Sequence, residues 1–207
     1  MITAFYTCNR TQPYIGATLD SFFETFPDKN NVYVSEEPDT PAYLNRTKVK
    51  RILQESKLGC VKHWQAMARY LVNNTLDNLY MLCEDDIEFI KRPILPDDFD
   101  FIASAYCSQV NIPIEKGWQK PFIGKTGWCG SLCLFFSRSY LEYIVQNEFK
   151  ILELSEGKHL DYAIGQFSKD NMLVHYPTLV LHTGEVSTYP NNNKVENATN
   201  RCRQPAL

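Results

Sequence analysis

The segment Asn78-Leu79-Tyr80-Met81-Leu82-Cys83-Glu84-Asp85-Asp86 runs from an apolar, strand-like stretch straight into three consecutive carboxylates. Adjacent carboxylates repel one another unless they are protonated, solvated or bound to a cation. On a pleated strand alternate side chains share a face, so Glu84 and Asp86 are expected to point the same way. Oxygen ligands of this kind suit Mg²⁺ or Mn²⁺, which can hold phosphate oxygens of a substrate at the same time. The competing reading is a solvated acidic turn that follows a buried strand and binds nothing.

The elements that must position this cluster are legible around it. Ile2 to Tyr6 reads as a strand, and Pro13 to Phe26 spaces Ile15, Leu19, Phe22, Phe23 and Phe26 as one buried helical stripe. Asn31 to Ser35 reads as a second strand and Lys48 to Leu53 as a short third. Cys60 to Val72 puts Val61, Trp64, Met67, Ala68 and Leu71 on one helix face. Tyr80 to Cys83 is too uniformly apolar for a half-exposed strand, which predicts a central position in a covered sheet. After Asp86 the pattern loosens, with Pro93, Pro96, Pro113 and Pro121 and a Gly- and Trp-rich stretch from Gly117 to Gly130 that is expected to face substrate. Ser131 to Phe136 reads as a strand, Ser137 as a helix cap, Ser139 to Phe149 and His159 to Phe167 as helices, and Met172 to Leu181 as a last strand. Strands alternating with amphipathic helices predict an α/β architecture with a mostly parallel sheet. One domain is expected over residues 1–190, with 191–207 a polar tail or a linker to a further domain.

Composition narrows the function classes. At 207 residues the chain suits one large domain. A net charge of −3 argues against a nucleic-acid partner, which would call for a basic surface. No segment approaches the roughly 20 apolar residues that span a bilayer, and no charged region precedes the opening strand, so neither membrane insertion nor export is expected. Seven cysteines without a CxxC pair read mostly as buried, reduced thiols. They predict a cytoplasmic, reducing setting, in which the sequons at Asn9, Asn45, Asn73 and Asn197 are chance matches.

Three segments give the chain a resemblance to the GT-A fold of nucleotide-sugar-dependent glycosyltransferases. The opening strand ends in Thr7-Cys8-Asn9-Arg10-Thr11, similar to the strand end that lies over the nucleotide base in that family. Glu84-Asp85-Asp86 stands where the family carries its D-x-D metal motif, with Glu in place of the usual first Asp. His182-Thr183-Gly184 resembles the late H-x-G segment that returns a histidine to the metal or the diphosphate. The absence of a stem or anchor makes it look more like a bacterial or virus-encoded enzyme, for instance of the chlorovirus capsid-glycosylating type.

The resemblance implies a hexosyltransferase that uses Mn²⁺ or Mg²⁺ and a nucleoside diphosphate sugar, UDP-linked above all, to modify a glycan or glycoprotein. Asp86 and His182 are then the metal ligands. Thr7, Asn9, Arg10, Glu37, Glu84 and Asp85 fall on the donor side, with Glu36 and Asp39 as further ribose or base contacts. Asp161, at the start of a helix where relatives place an acceptor-side carboxylate, is the catalytic group. Each has an ordinary alternative. His182 can be satisfied by a backbone carbonyl, Asp161 can simply favour a helix N-terminus, Trp118 and Trp128 can pack under a loop, and Lys125 can be solvated. Rival functions are a non-catalytic carbohydrate- or nucleotide-binding relative and a sugar-phosphate nucleotidyltransferase. The nucleotidyltransferase fits less well because Thr7 to Tyr14 contains no glycine to cradle a triphosphate. A phosphohydrolase is disfavoured because no carboxylate follows Tyr6 directly.

Overall fold

Ile2–Thr7 (β1) is buried along its whole length, as an apolar strand must be when both faces of its sheet are covered. Its side chains divide by parity. Ile2, Ala4 and Tyr6 join one hydrophobic cluster, and Phe5 joins another on the opposite face. Leu79–Glu84 (β4) and Cys133–Ser137 (β8) divide the same way, with Tyr80, Leu82, Leu134 and Phe136 on the first face and Met81, Cys83, Cys133 and Phe135 on the second. The computed structural model describes residues 1–7, 14–38, 40, 48–107, 115–121, 130–155 and 160–184.

The remaining strands are Val32–Glu36 (β2), Val49–Leu53 (β3), Ile87–Phe89 (β5), Ile102–Ser104 (β6), Gly117–Gln119 (β7), Met172–Tyr176 (β9) and Val180–His182 (β10). Among the described residues eight strands form one sheet in the order β3-β2-β1-β4-β8-β6-β9-β7, and β5 pairs with β10 in a separate ribbon. The pairings β3–β2, β2–β1, β1–β4 and β6–β9 are parallel, and those that flank β8 and β7 are antiparallel. The result is the expected α/β architecture with a large, mostly parallel central sheet.

Helices cover both faces. Cys60–Asn74 (α2), Arg138–Gln146 (α3), Glu148–Ser155 (α4) and Leu160–Ser168 (α5) contribute to the first cluster, where Trp64 is wholly buried against Phe136. Ile15–Thr25 (α1) and the β5–β10 ribbon close the other face. There Phe22 of α1 is fully buried, edge-on to Phe5 and Phe89 at 5.4 Å each and stacked on Phe26 at 5.0 Å. Burial of this kind is the main favourable term in the fold.

Two expected elements are divided. The helix anticipated from Ser139 to Phe149 breaks at Asn147, whose side-chain amide donates to Tyr143 O at 2.8 Å while its backbone N–H reaches both Tyr143 O and Ile144 O. A side chain that competes for backbone carbonyls ends a helix. Ser137 caps α3 as anticipated, its hydroxyl accepting from Tyr140 N–H. The strand anticipated from Met172 to Leu181 ends at Tyr176, because Pro177 has no N–H to give a ladder. The chain then leaves the main sheet, and Val180–His182 pairs with β5 instead.

Candidate active site

The parallel strands deliver their C-terminal ends to one edge of the sheet, where the acidic run emerges. Glu84 closes β4, opposite Tyr6 of β1. The turn that follows is clasped by Thr18 of α1, a buried hydroxyl 2.7 Å from the carbonyl oxygens of both Asp85 and Ile87 that also accepts Ile87 N–H at 3.2 Å. Asp85 is buried and turned toward β1, where it accepts a 2.5 Å hydrogen bond from Thr7 Oγ1. The two residues thereby tie the end of β1 to the acidic turn.

Asp86 meets His182 from the far end of the chain. The antiparallel register of β5 and β10 sets His182 beside Ile87, and Thr183 N–H donates to Asp86 O at 2.8 Å. His182 Nε2 then lies 3.3 Å from Asp86 Oδ2. Asp86 is almost wholly buried, whereas the imidazole keeps 28% of its surface exposed. Gly184 completes the arrangement. A Cβ built there would stand 2.9 Å from Asp86 Cγ and 3.0 Å from His182 Nε2, and closer still to Asp86 Oδ2, so a side chain at 184 would force the pair to move.

The third strand of the site arrives antiparallel. Cys83 pairs with Cys133, and Glu84 N–H donates to Leu132 O at 2.9 Å, which sets Ser131 next to the end of β4. Ser131 is buried, and its hydroxyl reaches Glu84 Oε1 at 3.2 Å and makes a short hydrogen bond to Asp161 Oδ1. Its backbone N–H also donates to Asp161 Oδ1, at 3.3 Å. Asp161 sits in the first turn of α5, as anticipated.

Glu84, Asp86 and Asp161 therefore converge, and the convergence shows in the energetics. Burial, followed by the nearby charges of Asp86 and Asp161, pushes the Glu84 carboxyl up to about 8 against the pull of His182 and of a hydrogen bond from Tyr6. Burial also raises Asp161, opposed by its hydrogen bonds from Ser131 and Gly130 and by the charge of His182. Carboxylates so gathered call for a proton or a cation.

The other anticipated residues divide. Glu37 is buried beside the start of α2, and its Oε1 accepts the backbone N–H groups of Leu58 and Gly59 at 2.9 Å each. Glu36 makes a two-point ion pair with Arg51 at 2.7 and 2.6 Å that ties β2 to β3. Trp118 is half-exposed on the edge strand β7, edge-on to His175 at 5.0 Å, with Nε1 donating to Ile94 O at 2.7 Å. This is packing of the ordinary kind. Asn9, Arg10, Thr11, Asp39, Lys125, Trp128 and the expected 191–207 tail lie outside the described residues.

Sequence reasoning missed Ser131, read only as the start of a strand. It also missed Tyr6, whose hydroxyl hydrogen-bonds to Glu84 and lies 3.8 Å from Cys60 Sγ. No local signal marks either residue, since both roles follow from strand pairing. Among the described residues no helix is long and apolar enough to cross a membrane, and no group of three or more His, Cys, Asp and Glu side chains is arranged to hold a metal by itself.

No family model and no curated protein sequence matches the chain. Solved structures do. Glycosyltransferase GlyE of Streptococcus pneumoniae TIGR4 matches with a TM-score of 0.55 at 12% identity, over 93% of this chain and 56% of that one. Galactosyltransferase LgtC, solved with donor and acceptor sugar analogs, matches with a TM-score of 0.55 at 10% identity, over 98% of this chain and 95% of that one. The chain thus spans little more than half the length of GlyE, and neither likeness supports a viral origin. At such identities the likeness carries the fold, and the fold of this chain is the GT-A type of those glycosyltransferases.

Proposed function

We propose that the chain is a metal-dependent glycosyltransferase that moves a hexose from a nucleoside diphosphate sugar, a UDP-sugar, to a glycan or glycoprotein acceptor. The observation that carries this reading is the meeting of Asp86 and His182 beneath Gly184 at the end of the central strand. One carboxylate oxygen and one imidazole nitrogen 3.3 Å apart fit two neighbouring positions around Mn²⁺ or Mg²⁺. The small protein share leaves the other positions to phosphate oxygens and water, the usual habit of such ions at phosphate-bearing substrates. A bound divalent cation would supply Lewis-acid stabilisation of the charge that gathers on the departing diphosphate.

The chain's own residues take the other roles. Asp161 is the carboxylate at the reacting centre on the acceptor side, within the group that also contains Glu84 and His182. Thr7 and Asp85 hold the two strand ends together under the donor, and we assign Asn9, Arg10, Glu37 and Glu84 to the same side. Among the described residues Cys60, Cys83, Cys107 and Cys133 are in the reduced form, which supports a reducing, cytoplasmic setting.

Hydrolysis and transfer assays with a panel of UDP-sugars, with Mn²⁺ and with EDTA, test the reading. Mn²⁺-dependent release of UDP is expected. Nucleotide binding without turnover would favour a non-catalytic relative, and formation of a nucleotide sugar from a sugar phosphate and a nucleoside triphosphate would favour a nucleotidyltransferase.

A further inference from the structure

We propose that Ser131 is a positioning residue that aims the Asp161 carboxylate at the reacting centre. The inference rests on the reading of Asp161 given above and adds to it the group through which Asp161 is held.

Both donors of Ser131, the hydroxyl and the backbone N–H, converge on the same oxygen, Asp161 Oδ1. Gly130, the preceding residue, adds a further backbone hydrogen bond to the same carboxylate. Two donors from one residue on one acceptor fix the plane of a carboxylate more firmly than a single bond does, since rotation about the Cβ–Cγ bond breaks both. Ser131 is itself held rigidly. It is buried and follows directly on Gly130, and the Glu84 N–H to Leu132 O bond of 2.9 Å locks the adjoining residue to β4. Its hydroxyl also stands 3.2 Å from Glu84 Oε1. Ser131 therefore couples the orientation of Asp161 on α5 to the end of the central strand, across 30 positions of sequence. Catalytic groups must be held to within a fraction of an ångström, and misplacement by about 1 Å can cost about 10²-fold in rate.

The test compares Ser131→Ala, Ser131→Thr, Asp161→Asn and the double variant Ser131→Ala/Asp161→Asn in the full chain. UDP-galactose and UDP-glucose serve as donors with Mn²⁺, and UDP affinity and Tm are measured alongside. Ser131→Ala should lower kcat by about 10- to 100-fold with donor KM and UDP affinity unchanged. Threonine, which keeps the hydroxyl, should restore kcat to within about threefold. In the Asp161→Asn background the alanine substitution should change kcat by less than about twofold, because residues that act as one unit are not additive. A wild-type rate in Ser131→Ala, or the same loss in both backgrounds, overturns the positioning role and leaves the proposed function standing. A wild-type rate in Asp161→Asn removes the reading of Asp161, and the inference with it. Independently of turnover, the carboxyl carbon-13 resonance of Asp161 should shift in Ser131→Ala and return in Ser131→Thr. A resonance that does not move shows that Ser131 does not hold the group.

Discussion

His182 Nε2 and Asp86 Oδ2 lie 3.3 Å apart although 96 positions separate the two residues. Two short strands of three residues, β5 and β10, bring them together, and the contact has room only because residue 184 is glycine. The H-x-G pattern thus has a mechanical reason here. The histidine supplies a nitrogen, the intervening Thr183 N–H anchors the backbone to Asp86 O, and the glycine leaves the space that the carboxylate occupies.

Gly184→Ala should therefore act as a site mutation rather than a stability mutation. The added methyl group displaces Asp86 or His182, and UDP affinity in Mn²⁺ is expected to fall at least about tenfold, equivalent to about 1.4 kcal/mol. Affinity in EDTA should stay as in the wild type. Isothermal titration under the two conditions checks this, and an equal loss in both would mean that the glycine serves the fold alone.

Asp161→Asn keeps the shape of the side chain and removes its charge. As a reacting-centre carboxylate it should lower the transfer rate by about 10² to 10⁴. As a helix-start residue its loss should cost only about 0.3 to 1 kcal/mol of stability. Rate, UDP affinity and Tm measured on this one variant separate the two, and a rate within a few-fold of wild type points to the structural role.

His63 makes acid sensitivity a property of the fold. It is buried with Nε2 2.8 Å from Ser35 Oγ, and burial lowers its pKa from 6.5 to about 4, against the opposing charge of Glu37. The unfolded chain takes up a proton near pH 6.5 and the folded chain only near 4, so stability rises with pH between those values and is lost as pH falls through them. The full span amounts to roughly 3 kcal/mol. Denaturant unfolding of wild type and His63→Gln from pH 4 to 7 should show a steeper dependence in the wild type, and parallel curves would contradict the assignment.

Phe22→Ala should cost about 3 to 5 kcal/mol, since the fully buried ring meets Phe5, Phe26 and Phe89 and leaves a cavity behind. Equilibrium unfolding in urea measures it. A cost below about 1 kcal/mol would mean that α1 packs less tightly than this cluster requires.

The parts of this architecture legible in the sequence are those governed by continuous burial or helical periodicity. The apolar runs of β1 and β4 announce strands covered on both faces, and the stripe from Ile15 to Phe26 announces α1. Asp86 and Asp161 stand out in the sequence because one follows the apolar run of β4 and the other falls in the first turn of α5, whereas His182 ends a strand of three residues and is singled out only by the H-x-G resemblance. Strands β5, β6 and β7 are three residues each, too short for any periodicity to show. The divisions at Asn147 and Pro177 were visible as residue types, but not as the points where one element becomes two. Ser131 and Tyr6 enter the site only through the pairing of β4 with β8 and β1, a long-range fact that no local pattern encodes.

The central claim is that Asp86 and His182 share a divalent cation with a nucleoside diphosphate. Titration of UDP into wild type and Asp86→Asn, each in Mn²⁺ and in EDTA, tests it most directly. The account predicts that Mn²⁺ strengthens UDP binding to the wild type and leaves the affinity of Asp86→Asn unchanged, with both proteins folded to the same Tm within a few degrees. A wild type indifferent to Mn²⁺, or an Asp86→Asn variant that retains the full Mn²⁺ enhancement, would contradict it.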